Sequence, residues 1–370
     1  LLSLAGCAVP GEERAAVAPT TAIEAAEPDE DDSITTAMSG VRFRIVPERF
    51  LTASTPGDNV DSPASWQDGS GRTWLIATAK RTHRLMVYDG DTGASLRTIG
   101  AQGTGAGEFA RPNGVFVIDD LVFVVERDNH RVQVLRLPEF APLGDFGAAD
   151  LSQPYGLWVR AMADAQYEVL VSDAYMDPHD ADRVPSLSDL DRRFKRYAIA
   201  IRASRVEPRL LGTFGATDAA GAIRVPESLW GDAVHDRLLL SEEDQATGTR
   251  LRDYRLSDLR YAGTDLGTGL FRAQAEGLAL WACPDGNGYW IATDQYTDRS
   301  VFHLFDRATL AHLGSFAGRI TANTDGIWLQ QSPTREFPAG VLYAVHDDQG
   351  VAAFAWDEIA DAMGLRRQCE

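Results

Sequence analysis

Short apolar runs alternate with turns along most of this chain, and the same arrangement recurs six times. Each unit has an apolar strand, a turn and a second strand in which apolar and polar positions alternate, and five of the six units end on a glycine. Antiparallel units that repeat about every 50 residues are typical of propeller blades. The pattern therefore predicts an all-β fold, a six-bladed β-propeller. The six units cover residues 75–100, 122–147, 169–215, 238–267, 289–318 and 341–356.

A single blade cannot bury both faces of its sheet, so neighbouring blades must stack and the ring must close. The early strand VRFRIV at 41–46 precedes the first unit. We predict that it pairs with the last blade and so leaves no open sheet edge. The alternative is that residues 41–74 form a seventh, degenerate blade.

The N-terminal residues indicate an exported protein. Leu4-Ala5-Gly6-Cys7 follows an apolar start, as at the end of a bacterial lipoprotein signal, where the cysteine becomes acylated. Residues 8–40 are rich in Ala, Pro, Glu and Asp, which is typical of a disordered tether. We therefore expect a lipidated Cys7 at the end of residues 1–7, a linker at 8–40 and the propeller at 41–370. Lipid would then hold the domain on the periplasmic or cell-surface side of a bacterial membrane, unless residues 1–7 are ordinary apolar sequence.

The composition limits the kinds of partner that the protein can bind and bears on the oxidation state of its cysteines. The net charge of −19 argues against nucleic acid, whose phosphates need a basic patch, and suits divalent cations. The chain has no G-x-S-x-G, H-E-x-x-H or Walker motif, so serine hydrolases, zincins and nucleoside triphosphatases lack their signatures. Apart from Cys7, the cysteines are Cys283 and Cys369, which could form a disulfide in an exported protein or stay apart.

Acidic residues recur at equivalent places in the blades, near the start of a unit or just after its first strand. Calcium takes about six to eight oxygen ligands, which one short loop rarely supplies alone. Carboxylates from several blades therefore indicate a calcium site, and the alternative is that they are solvated turn residues. The candidate ligands are Asp61, Glu227, Glu243, Glu276 and Asp325.

Several strings in the C-terminal half resemble one family. LLLSEED, AEGLALW, TDGIW, FPAGVLYAVHDD and FAWDEIADAMG occur in this order. They are similar to the L-Y-I-A-E-E-D, E-G-L-T-I-Y, T-D-G-I-D, F-P-x-G-L-F-V-A-Q-D-G and terminal V-P-W-E-R-I-A-D segments of the β-propeller phytases. The resemblance is strong over residues 223–365 and weaker upstream, where VDSPASW and ATAKR resemble D-D-P-A-I-W and T-N-K-K. It implies a short C-terminal helix after the last blade.

The resemblance also implies an activity and roles for individual residues. The protein would be a calcium-dependent phosphatase that releases phosphate from phytate or a related small phosphate ester. It would be a monomer that contacts a membrane only through its N-terminal lipid. The residues implied to bind phosphate are Lys80, Arg127 and Tyr155, and those implied to hold calcium are Glu227, Glu243, Glu276 and Asp325, of which Glu227 also takes part in catalysis.

Several positions depart from the family pattern, among them Ser228 and Leu229 in place of the glycine and methionine that follow the family's glutamate. Ser62 and Gln274 stand where the family has aspartates, and Ala174 replaces a lysine after a strand of the third unit, which also carries an insertion at 175–196. Fewer carboxylates would weaken calcium binding, and the lost lysine would weaken the hold on a second phosphate. Two alternatives therefore stay open. One is a phytase-like propeller that has lost catalysis and binds a ligand or partner, and the more distant one is a metal-dependent sugar-acid lactonase.

Overall fold

Six sheets, each built on an antiparallel meander, make up residues 34–180 and 183–369, the part of the chain that this computed structural model describes. The predicted six-bladed β-propeller is confirmed. A seventh blade at 41–74 is wrong, because residues 60–67 and 73–79 are the first two strands of blade 1. The predicted lipidation site Cys7 and residues 8–33 of the predicted linker lie outside the described residues.

The blades follow one another along the chain, each running from an inner strand to an outer one. A short helix, α1 (Thr36–Ser39), and two short strands, β1 (Arg44–Ile45) and β2 (Phe50–Leu51), come first. Blade 1 has β3 (Val60–Gln67), β4 (Thr73–Ala79), β5 (Arg84–Asp89) and β6 (Ser95–Ile99); blade 2 has β7 (Pro112–Ile118), β8 (Leu121–Glu126), β9 (Arg131–Arg136) and β10 (Ala141–Phe146); blade 3 has β11 (Pro154–Ala161), β12 (Gln166–Asp173), β13 (Phe194–Arg202) and β14 (Arg205–Phe214), with a 3₁₀ helix at Leu187–Arg192. Blade 4 has β15 (Pro226–Asp232), β16 (Arg237–Glu242), β17 (Arg250–Tyr254) and β18 (Tyr261–Leu266); blade 5 has β19 (Ala275–Ala282), β20 (Gly288–Asp294), β21 (Val301–Asp306) and β22 (His312–Ala317); blade 6 has β23 (Ile327–Gln330), β24 (Val341–His346) and β25 (Gly350–Ala355), followed by helix α2 (Trp356–Met363).

The inner strands surround the axis of the ring. They contact each other in the order β3, β7, β11, β15, β19, β23 and back to β3, so the ring is closed. The middle strands of the blades are mostly buried because sheets stack on both of their faces, whereas the outer strand β6 is largely exposed. The channel along the axis therefore opens at the ends of the inner strands.

Both N-terminal strands help to close the ring, but not as the sequence pattern predicts. β2 pairs antiparallel with β25 and completes blade 6, through Phe50 opposite Ala353. β1 pairs parallel with β22 at the rim of blade 5, through Arg44 opposite Phe316. The prediction that 41–46 joins the last blade is therefore wrong, because Val46 is buried against blade 5 and its N–H donates to Ala317. The chain then crosses to blade 6 within a few residues.

Three aromatic side chains block the channel. Phe116, Trp230 and Trp328 come from the inner strands of alternate blades 2, 4 and 6, and their ring centroids are 5.0 to 5.6 Å apart. Such edge and tilted contacts are favourable for aromatic rings. Because this plug lies along the inner strands, a ligand can reach the axis only from a mouth of the channel.

The two ends of the described chain lie on opposite faces of the propeller. The carbonyl of Ile34 accepts the N–H of Thr297, which follows β20. After α2, the predicted C-terminal helix, the tail returns to blade 5, where Cys369 is bonded to Cys283 in the turn between β19 and β20. The candidate disulfide is thus present. No helix of the described residues is long and apolar enough to cross a membrane.

Candidate functional site

A register shift at the start of the inner strand sets one residue of each blade beside the channel. In blades 1 to 5, two residues separate the first ladder pair from the next, as between Val60 and Pro63. A bulge of this kind re-aims the side chain that it carries. The first of these two residues in each of blades 1 to 5 and its counterpart in blade 6 together form what we call the channel ring. Its members are Asp61, Asn113, Tyr155, Glu227, Glu276 and Asp325.

Small residues after the channel ring allow neighbouring inner strands to approach closely. A Cβ atom on Gly114 would lie 2.7 Å from the carbonyl oxygen of Tyr155, and one on Gly156 would lie 2.7 Å from that of Glu227. A side chain does not fit at such distances, so glycine is required there. Each of these strands therefore lies against the ring residue of the next blade, which draws the ring towards the axis.

Four second strands end on a buried carboxylate that binds backbone. Glu242 accepts the N–H groups of Arg224, over 2.8 Å, and of Val225, over 2.9 Å. Burial raises the pKa of Glu242 to about 7, although these two N–H groups act against the shift. Because such residues fix the loop that leads into the inner strand, we call them loop anchors: Glu126, Asp173, Glu242 and Asp294.

The residue after each second strand lies at the channel mouth. Its N–H donates to the loop before the inner strand, over 2.8 Å from Lys80 to Asn59, 3.0 Å from Arg127 to Arg111 and 3.1 Å from Glu243 to Val225. The same bond forms in blades 3 and 5. We call these residues the mouth ring: Lys80, Arg127, Ala174, Glu243 and Gln295. The mouth-ring side chain is therefore a cation in blades 1 and 2, and not in blades 3 to 5.

Lys80 lies among carboxylates between blades 6 and 1. Its Nζ is 2.9 Å from Oδ1 of Asp61 and 3.9 Å from Oδ2 of Asp325. The Tyr155 hydroxyl donates to Asp61 over 3.5 Å from across the ring. Burial raises the pKa of Asp348 beside them; Lys80 opposes this shift, and the charge of Asp61 adds to it. One ammonium therefore faces three carboxylates, and the cluster keeps an excess of negative charge.

Neutral donors engage the other acidic groups. Gln274 donates its amide to Oε1 of Glu243 over 2.8 Å, and Gln295 donates to Oδ1 of Asp325 over 2.6 Å. The Ser62 hydroxyl donates to Oδ2 of Asp61 over 2.8 Å. Ser62 and Gln274 thus act as neutral donors to the carboxylates beside them.

A pocket joins the two rings between blades 2, 3 and 4. It encloses about 420 Å³, including the part open to solvent, and has Arg127, Tyr155, Glu227 and Glu243 among its walls. Nε of Arg127 is 2.9 Å from the exposed Asp128 carboxylate. The structure therefore brings the predicted phosphate-binding Arg127 and Tyr155 beside two predicted calcium ligands. Glu276 lies in the next blade of the ring, between Glu227 and Asp325.

The donor set is of the kind that a hard cation needs, although no complete metal site is assembled. No group of three or more His, Cys, Asp or Glu side chains within residues 34–180 and 183–369 is arranged to hold a metal ion. Four of the six channel-ring positions are nevertheless carboxylates. The fifth, Asn113, is completely buried, and neither its amide oxygen nor its nitrogen has a hydrogen-bond partner. Carboxylate and amide oxygens are calcium ligands, so the residues fit calcium in chemistry and charge.

The structure adds residues that the sequence analysis missed. Asn113 belongs to the channel ring, and Asp348 and Gln295 belong to the acidic cluster. A shared signal was present for Asn113, because the strings VDS, PNG, PYG, PES and AEG begin five of the inner strands and TDG directly precedes the sixth. Aligning these six strings would have identified the middle residue of each as a ring position.

Comparison with known proteins supports the fold. No protein-family model matches the chain, and no curated protein matches it in sequence. Regucalcin from Agrobacterium tumefaciens, a calcium-binding protein, is similar in structure with 10% identity and a TM-score of 0.51, over 85% of this chain and 95% of that one. A protein of unknown function from Bacteroides thetaiotaomicron gives 13% identity and a TM-score of 0.52, over 86% of this chain and 73% of that one. At these identities the likeness shows the propeller fold alone.

Proposed function

We propose that this protein is a calcium-dependent hydrolase of phosphate monoesters, of the type of the β-propeller phytases. The observation that supports the proposal is the division of the channel mouth. Lys80 and Arg127 of the mouth ring supply cations at blades 1 and 2. Glu227, Glu276 and Asp325 of the channel ring supply carboxylates at blades 4 to 6, in addition to Asp61, which pairs with Lys80. A phosphate ester bound by the cations would lie beside oxygen ligands for calcium.

The residues at the mouth suit the binding and orientation of a phosphate group. Arg127 presents a planar fork of N–H donors to two phosphate oxygens, Lys80 a point charge and Tyr155 a hydroxyl donor. Glu227 shares a pocket with Arg127 and would accept the proton of an attacking water. Calcium held by ring carboxylates such as Glu276 would add positive charge near the phosphate oxygens and make a nearby water more acidic.

The test is phosphate release by the purified protein. We expect release from inositol hexakisphosphate or p-nitrophenyl phosphate in calcium, and loss of release in EDTA. Calcium should also raise the melting temperature, since a ligand at one hundred times its dissociation constant stabilises the folded state by about 2.7 kcal/mol per site. No release at saturating calcium, with no effect of EDTA, would rule the proposal out.

A second candidate is a ligand- or protein-binding propeller without catalysis. The hydrogen bonds from Ser62 to Asp61 and from Gln274 to Glu243 favour it, because they occupy carboxylate oxygens that calcium would need. Calorimetric titration with calcium separates the two candidates. Binding accompanied by phosphate release supports the hydrolase, and the absence of calcium binding supports the binding module.

We also propose that the protein is exported and attached to a membrane through lipid on Cys7, as a monomer. The sequence Leu4-Ala5-Gly6-Cys7 supports the attachment. Mass spectrometry of the N-terminal peptide from cells tests it, and a Cys7→Ser variant that stays in the membrane fraction would contradict it.

A further inference from the structure

The pocket between blades 2, 3 and 4 changes character along its length. At one end, Arg127 supplies a guanidinium group at the mouth ring. Its apolar wall is formed by Ala174, Met176, Val225 and Pro226 of blades 3 and 4, and the polar Gln153 also lines the pocket. A ligand anchored by its phosphate at Arg127 would therefore place its organic part against an apolar surface.

Among the described residues that line the pocket, Arg127 is the one cation, so a second phosphate on the same ligand would find none at the apolar wall. The mouth ring carries Lys80 in blade 1 and Arg127 in blade 2, but Ala174 in blade 3. Beyond the apolar wall, Glu227 and Glu243 also line the pocket. A second phosphate would lose its hydration against the apolar groups, which is unfavourable.

We propose that the substrate of this site is an ester with a single phosphate and a compact apolar group, such as an aryl phosphate, rather than a polyphosphorylated compound. The inference rests on the proposed function and adds a substrate class to it. The phosphate lies at Arg127, and the apolar group lies against Met176 and Val225.

Met176 is the residue that distinguishes the two classes of ester. Met176→Lys removes apolar surface and places a cation where a second phosphate would lie. We expect kcat/KM for phenyl phosphate to fall about tenfold, and kcat/KM for inositol hexakisphosphate to rise, because a charge-assisted hydrogen bond becomes available. Met162→Lys is the matched control, since Met162 is exposed and follows β11 at the opposite end of the inner strand. That variant should leave both values unchanged.

Binding is measured separately from turnover with phenylphosphonate, which has no ester bond to hydrolyse. Calorimetry in calcium should show that it binds to the wild type, and that Met176→Lys weakens the binding about tenfold. This result supports the apolar subsite even if no ester is hydrolysed, in which case only the hydrolase proposal fails. If the wild type hydrolyses inositol hexakisphosphate with a kcat/KM equal to or above that for phenyl phosphate, the substrate class is wrong and the hydrolase proposal stands. If phenylphosphonate does not bind, or binds equally to Met176→Lys, the subsite is overturned.

Discussion

Glu242 and Glu243 are neighbours in the chain, yet they belong to two different regions of the propeller. Glu242, a loop anchor, is completely buried and accepts two backbone N–H groups, whereas Glu243 lies in the mouth ring and accepts the side chain of Gln274. The pairs Asp173–Ala174 and Asp294–Gln295 repeat this arrangement in blades 3 and 5. Successive side chains of a strand point to opposite sides. One carboxylate therefore holds the loop in place, and the next position is available for chemistry.

The largest expected effect is the loss of stability when a loop anchor is removed. Asp173 accepts the N–H groups of Ser152 and Gln153 and forms a buried ion pair with Lys195. Asp173→Ala should lower the free energy of unfolding by about 3–5 kcal/mol, because it leaves a buried ammonium without its partner. Urea denaturation measures this change. Ala174→Ser, at the next position, should change the stability by less than about 0.5 kcal/mol; similar losses in the two variants would contradict the division of roles.

A mouth-ring substitution should instead affect activity. Arg127→Ala removes the fork that would position the phosphate of the proposed substrate. Hydrogen bonds to charged groups contribute about 1.5–3 kcal/mol, roughly a tenfold to hundredfold change. We expect kcat/KM to fall by this factor while calcium affinity and the melting temperature stay near those of the wild type. Asp128→Asn keeps the guanidinium and is the control. Unchanged phosphate release by Arg127→Ala would show that Arg127 serves only its ion pair with Asp128.

A substitution in the channel ring should change the affinity for calcium. Glu276→Gln keeps the shape of the side chain and removes one charge, so calcium should bind at least about tenfold more weakly. Activity should fall with it and recover in part at high calcium. Calorimetry and phosphate release are measured on the same preparation. Wild-type calcium affinity and wild-type activity in this variant would mean that the ring carboxylates are not ligands.

The last expected change depends on pH and arises from the titration of Glu242. Its pKa of about 7 in the folded protein lies above the ordinary value of 4.5, so the folded state holds this proton more tightly than the unfolded state does. Its contribution to stability is complete below pH 4.5 and is lost as the pH rises to 7, by at most about 1.4 kcal/mol per pH unit. Melting curves of Glu242→Gln should lack this part of the pH dependence. Parallel curves for variant and wild type between pH 5 and pH 8 would show that Glu242 is ionised throughout.

The sequence predicts the blades well because apolar alternation and turn residues are local signals, and the recurrence of units such as 289–318 sets their number. It does not predict that β1 joins blade 5 and β2 joins blade 6, since that choice depends on contacts about 270 to 300 residues away along the chain. Their charge identifies channel-ring members such as Glu276 in the sequence. Asn113 carries no charge, and only its position at the start of an inner strand marks it as a member. Met176 reaches the pocket from an insertion without a repeat equivalent, so no pattern could indicate it.

The position of Ile34 decides how the propeller meets a surface to which it is attached. The chain reaches the propeller beside Thr297, in a loop of the channel-mouth face, whereas Cys369 ends it at the far face. A protein immobilised through residues before Ile34 would be attached on the side of its mouth, and one immobilised through its C-terminus on the opposite side. For a lipid-anchored enzyme, the gap between membrane and propeller would then act as a filter for the size and charge of the esters that enter.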